Sequence, residues 1–135
     1  MFDTKIAFVV RDDLAVWQKL NVTAFLMSGV VGREPGLIGE AYQDADGNQY
    51  NPLVIQPVIV LRTDSDGMRK IYGRAMQRGV PLSLYIEDMF ETGHDAANRA
   101  AVKARTPDDM AIVGIGLRED KKTVDKITRG AKLQD

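Results

Sequence analysis

The sequence predicts an α/β fold: a three-layer sandwich in which a mixed four-stranded sheet carries helices on both faces, with a small hairpin insertion. Three observations predict it. Four short apolar runs, Lys5–Val10, Pro57–Leu61, Val80–Ile86 and Met110–Leu117, have the length and composition of buried strands. Helix-patterned segments lie between them, and such alternation is the mark of a layered α/β sheet. Glycine, proline and aspartate punctuate the joins.

Arg11-Asp12-Asp13 closes the first run, and its aspartates are suited to cap the next helix. Val16–Met27 follows, with Trp17, Leu20, Ala24 and Met27 at helical spacing and expected inward. Val22, Phe25 and Leu26 make it apolar nearly all round, as in a helix buried on most sides. Ser28-Gly29 and Gly32 are expected to end it. Between about residues 31 and 54 the pattern becomes irregular. There Leu37–Tyr42 and Asn48–Tyr50 can pair as a hairpin around Asp46-Gly47. Asp44-x-Asp46-x-Asn48 lacks the glycine and the distal acid of a calcium loop and reads as a turn.

After the second strand, Thr63 or Ser65 is expected to cap a helix through about Gln77, with Met68, Ile71, Tyr72, Ala75 and Met76 inward and Gly79 as its stop. Thr92-Gly93-His94-Asp95 reads as the start of an alanine-rich helix through about Ala104. Gly114 and Gly116 in the fourth strand imply close backbone approach. Glu119–Arg129 is the last helix, with Val124 and Ile127 inward and Gly130 as its cap. A single domain over residues 1–135, with an insertion at about 31–54, accounts for the whole chain.

Composition narrows the chemistry. Hydrophobic residues make up 44% and charged residues 27%, which is ordinary for a globular chain. There is no cysteine and one histidine, so thiolate chemistry and a histidine-rich metal site are excluded, and no metal or cofactor is expected. No apolar run approaches the ~20 residues of a membrane helix. No basic segment followed by a long apolar stretch opens the chain, so a cytoplasmic protein without a membrane partner is expected. The net charge of −1 is uneven: residues 1–30 balance, residues 31–95 carry −4, and residues 96–135 carry +3. Without a global basic surface, DNA is not an expected partner. Ser28 lies in no Gly-x-Ser-x-Gly elbow, and no glycine-rich phosphate loop precedes a helix.

Candidate chemistry concentrates in Leu82–His94, where an apolar run ends in Glu87, Asp88, Glu91, Thr92 and the lone His94. Open α/β sheets place their sites at such strand ends. Each residue also has a structural reading. Asp88 with Glu91 has capping spacing, Thr92 suits the cap of the next helix, and His94 falls in that helix's first turn. Lys19 and Thr23 share one face of the first helix, and Asn21 on a buried helix must find hydrogen-bond partners.

Val9-Val10-Arg11-Asp12-Asp13-Leu14 resembles the first-strand motif Val-Val-Arg-x-Asp-Leu of the type II peptidyl-tRNA hydrolases. Asp88-Met89-Phe90-Glu91-Thr92 keeps the spacing of that family's Asp-Ala-Gly-x-Thr loop. Ala111–Gly116, with Val124–Thr128 and Lys132-Leu133, is similar to its closing strand and helix. Leu20–Leu26, Gly39, Asp46-Gly47 and Pro57–Leu61 resemble more closely a family of conserved bacterial proteins known only as a domain of unknown function on the same fold.

What the resemblance implies is a peptidyl-tRNA hydrolase II-like fold, with a pocket between the first helix and the loop after the third strand. It implies a catalytic set of Lys19, Asp88 and Thr92; Asn21, Thr23, Glu87 and His94 are the further candidates for contact with the ligand. Asp88 would orient or deprotonate water, Lys19 would neutralise developing charge, and the Thr92 hydroxyl would hold the scissile group. The chain departs from the hydrolases where RNA would approach: Trp17 replaces a small residue, Phe90 a glycine, and Glu91 repels phosphate. The expectation is therefore a small-molecule or peptide-like ligand, with hydrolysis as an added activity. Peptidyl-tRNA hydrolysis and a non-enzymatic interaction module are the alternatives. The apolar first helix and the insertion would furnish a homodimer face.

Overall fold

The computed structural model describes residues 2–135. Its strands are β1 (Thr4–Arg11), β2 (Tyr42–Gln43), β3 (Gln49–Tyr50), β4 (Val58–Thr63), β5 (Ser83–Ile86), β6 (Ile112–Asp120) and β7 (Lys132–Leu133). Its helices are α1 (Val16–Arg33), α2 (Ser65–Gln77), α3 (Asp95–Lys103) and α4 (Lys121–Ile127). The main sheet runs β5-β6-β1-β4-β7; β1 and β4 are parallel, and every other pairing is antiparallel. The expected mixed α/β sheet is present, but with five strands rather than four. The fifth, β7, is a two-residue edge pairing opposite Leu61 and Arg62, too short to leave a period in the sequence.

Side-chain alternation along β1 builds two cores. Ile6, Phe8 and Val10 join Val22, Leu26 and Val30 of α1. Ala7 and Val9 join Met68, Ile71 and Ala75 of α2 and Val124 and Ile127 of α4. Burying each of the valine, leucine, isoleucine, methionine and phenylalanine side chains contributes about 1.5–3 kcal/mol.

Helix α1 differs from expectation in three ways. Its inward stripe is Val22, Leu26 and Val30, whereas Trp17, Leu20 and Ala24 are exposed. A helix apolar on every side has no period that selects a face, and the partner surface makes the choice. That surface is β6: a Cβ on Gly114 would come 2.4 Å from Val22 Cγ1, and one on Gly116 would come 2.9 Å from Phe8 Cδ1 and 3.2 Å from Leu26 Cβ. The two glycines hollow a seat into which α1 settles. Second, Asp12 and Asp13 do not cap the helix. Asp13 accepts from Arg11 Nε at 2.6 Å, and the Ala15 N–H instead donates to Gln18 Oε1 at 2.9 Å. Third, α1 runs on through Gly29 and Gly32 to Arg33.

Other boundaries shift for similar reasons. Asp64, not Thr63 or Ser65, caps α2 by accepting the Gly67 N–H at 2.8 Å. Met76 is exposed. Val80 is buried but stands before the ladder, its N–H given to Ala75 O. β6 continues to Asp120, which caps α4 through Thr123 N. Gly79, with φ of +66°, stops α2 where expected. α4 instead ends at Ile127 with Thr128 as its cap, two residues short of the expected Arg129, and Gly130, with φ of +98°, lies in the turn before β7. In the insertion the hairpin pairs Tyr42–Gln43 with Gln49–Tyr50, while Leu37 is buried in a 3-10 turn. Asp44 clamps that hairpin, accepting from Tyr50 Oη at 2.7 Å, Asn48 Nδ2 at 3.0 Å and the backbone of Asp46 and Asn48.

Gly114→Ala should destabilise the fold by about 1–3 kcal/mol through overpacking against Val22. The helical, unobstructed Gly73→Ala should stabilise it by about 0.5–1 kcal/mol; urea unfolding of both variants checks the contrast. Hydrogen bonds from Tyr50 and Asn48 hold the Asp44 carboxyl at about 2, down from 3.8. Its contribution to the hairpin should therefore be intact above pH 3.8 and lost as pH falls through about 2, read from amide exchange at residues 42–50.

Candidate functional site

The helical face next to the seated one carries Trp17, Asn21, Phe25 and Ser28, spaced to stand in one row. Opposite stand Asp95, Asn98, Arg99 and Val102 of α3, again at helical spacing. No residue of α3 is fully buried, and Val102 packs partly buried against the core. Between the two helices, floored by Ser83–Tyr85 of β5, lies a cleft of about 830 Å³. At one end α1 touches the strand, since a Cβ on Gly29 would fall 2.2 Å from Ser83 Oγ.

One side of the cleft is aromatic. Trp17 meets Phe90 edge-on at 6.0 Å, Phe90 lies 5.2 Å from Tyr85, and Tyr85 lies 5.7 Å from Phe25. Tyr85 is buried, which raises its pKa, and its hydroxyl has Asn21 Nδ2 and Met89 O at 3.5 Å each. Yet Trp17 and Phe25 are 61% and 51% exposed, so these faces are not used up by the core.

The other side is polar. His94, not Thr92, caps α3: its Nδ1 accepts the Ala97 N–H at 3.2 Å. In the neutral ring the proton is then on Nε2. The Thr92 hydroxyl donates to Met89 O at 2.9 Å and also lies against Asn98 Oδ1, fixing the turn that leads into the helix.

The structure gathers Asn21, Thr92 and His94 around this cleft and places the other expected residues elsewhere. Lys19 and Thr23 do not line it. Two helical positions from Asn21 is about 200° of rotation, which puts both residues on the far flank of α1. There the Thr23 hydroxyl donates to Lys19 O at 2.8 Å. Glu87 accepts from Arg11 Nη2 at 3.1 Å. Asp88 accepts from Arg105 Nη2 at 2.8 Å and Nε at 3.2 Å, and lines a separate hollow of about 340 Å³ with Glu87, Glu91 and Asp109. The Arg105 hydrogen bonds hold the Asp88 carboxyl below its usual value of 3.8. Lys19, Asp88 and Thr92 therefore do not surround one cavity. The residues not anticipated, Phe25, Asn98 and Arg99, carried a readable signal in their helical spacing. Among the described residues, no group of three or more acids or histidines is placed to hold a metal ion, and no helix is long and apolar enough to cross a membrane.

A family model described as a protein of unknown function (DUF2000) matches residues 4–134. Among solved structures, the chain is similar to a protein of unknown function from Agrobacterium tumefaciens strain C58. The two are 60% identical, with a TM-score of 0.98 and 100% of each chain covered. No curated protein matches the chain.

The Asp88 carboxyl should titrate below 3.8, and Arg105→Gln should bring the midpoint back up. Carbon-detected NMR reads both. Any stability from the pair should be present above the ordinary carboxylate range and fade as pH falls through the folded-state midpoint.

Proposed function

The chain belongs to the DUF2000 family of unknown function, and on that footing we propose that it binds a small molecule or peptide-like ligand in the cleft between α1 and α3. One observation carries this: an apolar-walled cleft of about 830 Å³, within the range of ligand sites, has two large aromatic side chains at its wall with more than half their surface in water. An exposed aromatic face flanked by convergent polar groups is costly to leave wet and favourable to cover. The motif spacing and the parallel β1–β4 pair support a peptidyl-tRNA hydrolase II-like scaffold for this cleft.

Binding is favoured over ester hydrolysis. Asp88, the expected general base, is paired with Arg105, which lowers its basicity, and it lines a different hollow from Thr92. Glu87, Asp88, Glu91 and Asp109 around that hollow also oppose a polyanion such as tRNA.

Trp17 is the sole tryptophan, so its emission reports cleft occupancy without a label. A fragment library should contain compounds that change Trp17 emission saturably and raise the melting temperature. Asn21→Ala should weaken those compounds about three- to tenfold. A library in which no compound moves either signal contradicts the proposal.

A further inference from the structure

The polar wall of the α1–α3 cleft is rich in donors and poor in acceptors. With Nδ1 of His94 taken by Ala97, Nε2–H is its free donor. The Asn98 side-chain amide is held against the Thr92 hydroxyl, whose proton goes to Met89 O, so Asn98 adds no free donor to the cleft. Asp95, the one carboxylate in the lining, is paired with Arg99 on the next turn. Lys103 lies one further turn along the same face, with no carboxylate within 4.0 Å among the described residues. The Thr92 hydroxyl proton is spent on Met89 O. Opposite this wall runs the continuous aromatic series Trp17–Phe90–Tyr85–Phe25.

A planar ring satisfies the aromatic wall, and an oxyanion satisfies the donors. We infer that the ligand is a flat aromatic or heteroaromatic molecule carrying a carboxylate or similar oxyanion, its ring against Trp17 and Phe25 and its charge toward His94, Arg99 and Lys103. This deepens the proposed function and rests on the cleft being a ligand site. Charge-assisted hydrogen bonds favour the ionised group over a neutral isostere of the same shape. The acidic residues Glu87, Asp88 and Glu91, which would repel such a ligand, face the other hollow.

Matched pairs test it: 2-naphthoate against 2-naphthamide and phenylacetate against phenylacetamide, each titrated calorimetrically into the intact protein. The acids should bind about tenfold more tightly than their amides. Lys103→Gln and Arg99→Gln should each erase most of that difference while leaving the amide affinities in place. Trp17→Leu should weaken acid and amide alike. The replaced side chains are exposed, so unchanged melting temperatures confirm intact folds. Amides that bind as well as acids, or acid affinities within twofold of wild type in both charge variants, overturn the charge inference and leave the cleft a ligand site. If neither member of either pair binds and no library compound moves Trp17 emission, both fall together.

Discussion

The seating of α1 on Gly114 and Gly116 is the constraint from which the rest of the molecule follows. Any side chain at Gly114 would meet Val22 well inside van der Waals contact. Because β6 offers a trough there, the helix lies close to the sheet, and Val22 and Leu26 are almost fully buried. That rotation turns the row Trp17, Asn21, Phe25 and Ser28 toward β5 and α3, where no further layer covers it. Core packing thus decides which face of α1 becomes the cleft wall.

The same rotation separates two electrostatic regions. On one side of the turn after β5, Thr92, His94 and the α3 cations border the cleft. On the other, Glu87 and Asp88 reach outward to Arg11 and Arg105. Those arginines hold the acids on the outer surface, so the cleft keeps a donor-rich wall. The short 3-10 segment Glu87–Glu91 performs the division, sending Met89 and Phe90 inward and the three acids away.

Much of the fold was legible in the residues themselves. The four core strands, the role of Gly114 and Gly116 and the helix stop at Gly79 follow from local pattern and conformational preference. The orientation of α1 was not legible, because its apolar residues encircle the axis and only the shape of β6 selects among them. The caps escaped for a related reason: several side chains competed for each helix start. Arg11 drew Asp13 away from α1, and the Thr92 hydroxyl turned to Met89 O, leaving α3 to His94. Within the site, spacing put Thr92, His94 and Asn21 among the candidates, and they line one cavity. It could not show that Asp88 faces Arg105, a partner 17 residues away.

The most direct test is to map backbone amide shifts by NMR as a bound aromatic acid is titrated in. The largest changes are expected on residues 17–29, 83–85 and 92–103, the two helices and the strand between them. Changes centred instead on residues 87–91 and 105–111, or spread over α2 and α4, would contradict a ligand site between α1 and α3.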